Sequence, residues 1–164
     1  MIALSLPELK TATSCLFAKD TFDYFLVKEI TIATSNTFHV DGKLHKDYYT
    51  EEEREELRDS TYSDWKSLRP FCYQMIKGKK LPLSFQIVLQ LSSDNVEKFL
   101  DRHHFACRAS DVSGLYLHFR YKNGELSVIT GTSLNFFTLE KTIDTAWDEM
   151  VEKILKLAGI LYTK

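Results

Sequence analysis

A run of basic side chains gives this sequence its most evident capacity to hold an anion. Residues 65–93 include no acidic residue. Their cations are Lys66, Arg69, Lys77, Lys79 and Lys80. With Trp65 and Tyr73 nearby, such a cluster suits a phosphate group or a nucleic-acid backbone. A charge match with the acidic segment 51–59, within the same molecule, explains these cations without any ligand, since five charges outside a recognised binding module are a weak signal for nucleic acid.

A second candidate site lies on one face of a predicted strand. Tyr116, His118, Arg120 and Lys122 occupy alternate positions between apolar residues, so they share one side of the strand. Protein interfaces favour aromatic and arginine side chains, which makes this face a candidate surface for a protein partner. An ordinary solvated sheet face is the alternative.

Histidine and cysteine occur in two short groups whose residue types suit a metal ion. The groups are His103, His104 and Cys107 with Asp111, and His39, Asp41 and His45. The spacing of the first group matches neither a zinc finger nor the HExxH motif. In the second group, a hairpin turn predicted at Asp41-Gly42 places His39 and His45 on opposite faces. The sequence therefore predicts no bound metal and no cofactor.

The cysteines and the amino terminus bear on the compartment. Cys15, Cys72 and Cys107 are odd in number and form no CxxC pair, which favours free thiols in a reducing environment. The first ten residues do not combine a basic region with an apolar run, and no stretch approaches eighteen apolar residues. We therefore expect a cytoplasmic protein without membrane spans.

Composition limits the classes of partner. The 164 residues are 44% hydrophobic and include only 6 glycines and 3 prolines, as expected for one globular domain over residues 1–164. The chain has 21 basic and 23 acidic residues, a net charge of −2. Such a balance creates no overall attraction to nucleic acid, so we expect weak nucleic-acid binding or none.

The strands that position the second site have clear signals. Residues 83–91 alternate between apolar and polar types, and so do residues 115–122, as expected for strands buried on one side. Asn123-Gly124 is typical of a type I′ hairpin turn. The resulting register places Tyr121 opposite Leu126, Phe119 opposite Val128 and Leu117 opposite Thr130. A further strand is expected near residues 133–139.

Other local signals predict helices and another hairpin. A capping box at Ser5-Leu6-Pro7-Glu8 predicts a helix to about residue 18. Residues 65–76 have a helical apolar stripe, and Pro70 within it predicts a kink or a restart near Arg69. Residues 143–158 predict an amphipathic helix that ends at Gly159. Residues 22–33 favour a strand, and Asp41-Gly42 predicts a hairpin turn after it.

Together these elements indicate an α+β protein, with an antiparallel sheet built from hairpins and helices packed on one face. Both halves of the sequence run in the order strand, helix, hairpin, which suggests a duplicated unit. The order is similar in outline to the repeat of sliding-clamp folds, an analogy that implies nothing about function.

Several short motifs carry a resemblance across nearly the whole chain. They are Thr21-Phe22-Asp23, Thr37-Phe38, Val40-Asp41-Gly42, Ile76-Lys77-Gly78-Lys79-Lys80, Thr130-Gly131-Thr132-Ser133 and Ala146-Trp147-Asp148. With these motifs the sequence resembles an uncharacterised bacterial family known only as a domain of unknown function. The resemblance implies a small, single-domain bacterial protein, and it brings no activity, ligand or catalytic residue.

Two hypotheses for function follow. The first is a non-catalytic cytoplasmic binding or protein-interaction module. The alternative is a small enzyme acting on a phosphorylated or nucleotide substrate, in which Lys77, Lys79 or Arg69 supplies charge and His118 or His104 transfers a proton. A cleft that joins these residues would favour the enzyme.

Overall fold

The computed structural model describes residues 1–57, 60–138 and 141–164. Within these ranges the strands are β1 (Ala3–Ser5), β2 (Phe25–Ala33), β3 (Thr37–Asp41), β4 (Ser84–Leu91), β5 (Val112–Lys122) and β6 (Glu125–Leu134). The described helices are α1 (Leu9–Thr13), α2 (Glu51–Leu57), α3 (Trp65–Ile76), α4 (Ser93–Arg102) and α5 (Thr142–Leu157). A π-helical turn, Ser14–Ala18, continues α1.

All the described strands join one antiparallel sheet in the order β1-β6-β5-β4-β2-β3. The predicted α+β class is confirmed. The β5–β6 hairpin has the predicted register, with Phe119 opposite Val128. Asn123 and Gly124 have φ values of 53° and 77°, the positive angles that a type I′ turn requires.

The predicted hairpin turn at Asp41-Gly42 is wrong. The chain reverses at residues 34–36, where the Thr34 amide donates to the Asn36 carbonyl, and β3 pairs with β2 up to Asp41. Gly42 has another role, because its amide donates to the Lys28 carbonyl at 3.0 Å. A Cβ at position 42 would lie 1.9 Å from the Val27 carbonyl oxygen, so the close approach of two backbones requires glycine here.

A β-bulge interrupts β2 between Val27 and Glu29. Val27 and Ile30 are both buried, while Lys28 and Glu29 between them are both exposed. The extra residue shifts the alternation by one position, so that apolar side chains on both sides of the bulge reach the same core.

The hydrophobic core lies against one face of the sheet. Helix α4 contributes Phe99, whose ring meets Trp147 of α5 edge-on at 5.9 Å. Trp65 at the start of α3 is fully buried, and its indole donates to the Leu16 carbonyl in the π-helical turn at 2.9 Å. These contacts place α3, α4 and α5 over the same sheet face, as the sequence predicts.

One predicted helix feature is wrong, and another is narrowed. The capping box at residues 5–8 is absent, because Ser5 belongs to β1 and exchanges backbone hydrogen bonds with Thr163; α1 begins only at Leu9. Helix α3 continues through Pro70, so it does not restart near Arg69. Its start is fixed by Asp64, whose carboxylate accepts from the Ser67 amide at 3.0 Å.

The prediction of a further strand near residues 133–139 is also wrong for the residues of this range that the structure describes. Strand β6 extends through Ser133 and ends at Leu134, and residues 135–138 form no strand. Residue 139 lies outside the described residues. The duplication is not confirmed, because β4 pairs with β5 of its own half whereas β1 pairs with β6 of the other half.

The carboxyl-terminal helix matches its prediction and is tied to β5 and β6 by polar side chains. The hydroxyls of Thr130 and Thr132 donate to Asp148 and Asp144. The Trp147 indole donates to the Tyr116 carbonyl at 3.0 Å. None of the described helices is long and apolar enough to cross a membrane.

Neighbouring positions on β5 give a direct test of this one-sided burial. Phe119 is 1% exposed, so Phe119→Ala should lower the free energy of unfolding by about 3–5 kcal/mol. Arg120 is exposed, and Arg120→Ala should cost less than about 1 kcal/mol. Equilibrium denaturation in urea measures both, and equal losses would mean that both sheet faces are buried.

Candidate functional site

The side of the sheet opposite the core is its open face. It is formed by Lys28, Glu29, Gln86, Val88, Tyr116, His118, Arg120, Ser127 and Ile129. Three of the four predicted residues of the second hairpin, Tyr116, His118 and Arg120, lie in this set, and Lys122 lies at its end beside the hairpin turn.

Tyr116 is held in place from two sides. The Lys28 ammonium lies 4.7 Å from the centre of its ring and 3.5 Å from its hydroxyl, a cation–π arrangement. A Cβ at Gly114 would lie 2.2 Å from Cζ of the tyrosine, so the ring lies directly over the glycine backbone. Lys28 reaches across β4 to make this contact, since β4 separates β2 from β5.

His118 occupies the centre of the open face. Its neighbours in register are Val88 on β4 and Ile129 on β6, and its ring centre lies 6.1 Å from that of Tyr116. Burial lowers the pKa of His118, as do the positive charges of Arg120 and Lys28, whereas the Glu29 carboxylate raises it. The neutral imidazole is therefore favoured.

Arg120 lies between Gln86 and Ser127 in register, and Lys122 lies between Ser84 and Glu125. Both cations are exposed. Neither forms an ion pair with any residue that the structure describes. These charges remain available to an external carboxylate.

Arg69, by contrast, is engaged inside the molecule. Its guanidinium makes a bidentate ion pair with Asp23, with both N–O distances at 2.8 Å. It also donates to the Phe17 carbonyl at 3.3 Å. The Asp23 carboxylate raises the pKa of Arg69 further. This pair fixes α3 to the loop before β2, a structural role.

The remaining basic residues do not join the histidines. Lys77, Lys79 and Lys80 are exposed at the carboxyl end of α3 and just beyond it. His118 lies on the open face, and His104 follows α4 with a φ of 57°. The structure therefore contains no cleft among its described residues that unites the charges and bases of the enzyme hypothesis.

In each of the two histidine and cysteine groups, a histidine ring contacts a neighbouring side chain of the fold. The His103 ring packs against Phe99 at 4.8 Å, and the His39 ring makes a hydrogen bond with the Thr31 hydroxyl at 3.1 Å. Among the described residues, no three His, Cys, Asp or Glu side chains are grouped to hold a metal ion. Burial raises the pKa of the Cys72 thiol to about 12.

Sequence reasoning missed Lys28 and Glu29 as members of the open face. The bulge brings both to the same side of the sheet as His118. A signal is present in the sequence: the buried apolar positions of this strand move from 25 and 27 to 30 and 32. Such a change of phase within one strand is typical of a bulge.

Residues 15–163 match the model of a family of unknown function, DUF5721. No curated protein and no solved structure matches the chain.

The charges around His118 predict its titration. Its folded pKa should lie below the ordinary 6.5. Arg120→Gln should raise this pKa, Glu29→Gln should lower it further, and Lys153→Gln on α5 should not change it. Histidine NMR signals followed through a pH titration measure each value. Unchanged pKa values in both open-face variants would contradict the arrangement.

The same shift predicts a pH dependence of stability. Because the folded pKa of His118 is lowered, the unfolded chain binds more protons between the two pKa values. The stability that His118 contributes is present above about pH 6.5 and is lost as the pH falls through the folded pKa. His118→Gln should flatten this part of the stability profile in urea denaturation, and an unchanged slope would contradict it.

Proposed function

Because the chain belongs to the DUF5721 family of unknown function, we propose its role from its geometry: a non-catalytic module that binds a protein partner through the open face. The observation that carries this proposal is the arrangement of aromatic and apolar side chains at the centre of that face, with charges around them. Tyr116, His118 and Ile129 form the centre. Such an apolar centre with a polar rim is the usual anatomy of a protein interface.

The central side chains are organised before any partner binds. Val88 is only 2% exposed although it belongs to the open face, so the residues around it already pack closely. Tyr116 is fixed by Lys28 and by the bare backbone at Gly114. A rigid aromatic side chain loses little conformational entropy on binding, which supports Tyr116 as the main contributor to affinity.

Charge defines the chemistry of the partner. The Arg120 guanidinium is exposed beside this centre, and Lys122 lies on the same strand. A partner surface that fits would place an apolar side chain over Ile129 and His118 and a carboxylate near Arg120. Glu29 on β2 would oppose a second carboxylate at the other side of His118.

The cellular setting is part of the proposal. Cys15, Cys72 and Cys107 are free thiols, which supports the reducing interior of a cell. One hydrophobic core cluster draws residues from both ends of the sequence, from Leu4 to Ile160, which supports a single domain.

A photo-crosslinking residue at Ser127, on the open face, tests the proposal in cells. A specific protein should crosslink at Ser127, and the same residue placed at Lys153 on α5 should not capture it. With that protein purified, Tyr116→Ala should raise the dissociation constant of the complex by about thirtyfold or more. Lys153→Ala serves as the matched control and should leave affinity unchanged.

A second variant changes the position of the Tyr116 ring without removing the ring. Gly114→Ala retains the Tyr116 ring but forces it to move, because the new Cβ would overlap the phenol. Affinity should fall in this variant while the stability of the sheet changes little. Equal crosslinking at Ser127 and Lys153, or full affinity in Tyr116→Ala, would overturn the proposal.

A further inference from the structure

A groove on the core side of the sheet has the size of a small-molecule site. It lies between α1 with its π-helical turn, the carboxyl end of α3 and the neighbouring ends of β4 and β5. Its volume is about 620 Å³, within the usual range for ligand pockets. The open face lies on the other side of the same strands, so this groove is a separate surface.

The floor of the groove is aromatic. Phe85 of β4 and Tyr121 of β5 are stacked with ring centres 5.2 Å apart, and Phe17 meets Phe85 edge-on at 5.3 Å. All three rings are nearly buried. A floor of this kind favours an apolar ligand.

The walls are mainly apolar, with the hydroxyls of Thr13 and Ser14 among them, and two of their side chains are strongly exposed. Leu81 is 77% exposed, and Tyr73 is 43% exposed. On the opposite wall the π-helical turn replaces regular α-helix, with the Lys19 amide donating to the Ser14 carbonyl at 2.9 Å. Single π-helical turns are frequent at functional sites. The Trp65 indole holds this turn through the Leu16 carbonyl.

Charge at the groove has one sign. Lys10 and Lys77 are the charged lining residues, and no aspartate or glutamate is among the described residues that line the groove. Neither lysine forms an ion pair within the described part of the chain. An anionic group at the edge of the groove would therefore meet two available ammonium groups and no opposing carboxylate.

We propose that this groove binds a single-chain amphiphile with one anionic head group. Its hydrocarbon tail lies on the aromatic floor beside Leu81, and its head group is held at the edge by Lys10 and Lys77. A nucleotide fits less well, because its base and sugar need several polar partners, whereas the floor and most of the walls are apolar.

Decanoate is the probe for isothermal titration calorimetry with the full chain. It should bind with a stoichiometry of one and a dissociation constant below about 1 mM. Decanol, which lacks the charge, should bind more weakly, and decyltrimethylammonium should not bind. Decyl phosphate tests recognition by charge, because two ammonium groups should hold it at least as tightly as decanoate. Failure of decyl phosphate to bind would contradict this recognition.

Matched variants locate the binding. Lys77→Ala should weaken decanoate binding by about threefold to tenfold, whereas Lys80→Ala, outside the groove lining, should not change it. Leu81→Glu should weaken binding by at least about tenfold through charge repulsion and lost apolar contact. Leu83→Glu is its control, since Leu83 is 71% exposed and lies outside the lining. Circular dichroism verifies that each variant is folded.

Three results would overturn the proposal. They are an absence of decanoate binding below about 1 mM, equal affinity for decanoate, decanol and the ammonium probe, and unchanged affinity in Leu81→Glu. Sedimentation of the ligand-free protein can give a fourth contradicting result. If the protein is a dimer that Leu81→Glu dissociates but decanoate does not, the groove is assigned to a second copy of the chain.

Discussion

The alternation of side chains along β4, β5 and β6 buries one face of the sheet in the core and gives the other a polar rim, where Arg120 and Lys122 are exposed. Tyr121 contributes to the floor of the groove, while Arg120, one position earlier, lies on the open face. The helices that cover the first face are fixed by a few buried polar contacts, among them the Trp147 indole on the Tyr116 carbonyl. The same strands thus present two surfaces with different chemistry.

The bulge in β2 keeps this division intact where the alternation changes phase. Without the extra residue, Ile30 and Ile32 would lie on the open face and the core would lose both. The bulge also places Lys28 and Glu29 together near His118, which sets the charge around it. Gly42 permits the local geometry, because a side chain there would overlap the Val27 carbonyl.

The alternation of apolar and polar residues and the Asn123-Gly124 turn predicted the second half of the sheet well. Both signals depend only on residues that are close together in the sequence. The first half depends on contacts that are distant in sequence. Gly42 looked like a turn residue, yet its role comes from the bulged strand fourteen positions earlier. Arg69 looked available for a ligand, yet Asp23 occupies it. Local sequence patterns do not reveal these distant partners of Gly42 and Arg69. The phase shift in β2, by contrast, was present in the sequence.

Thiol accessibility on the open face tests the central claim of a one-sided sheet most directly. In a Cys107→Ser background, single cysteines at Arg120 and Ser127 would be treated with a water-soluble aromatic disulfide. They should react within about tenfold of the rate in the unfolded chain, while the buried Cys15 and Cys72 stay unreacted. Protection of Arg120→Cys and Ser127→Cys as complete as that of Cys72 would show a covered face and contradict the account.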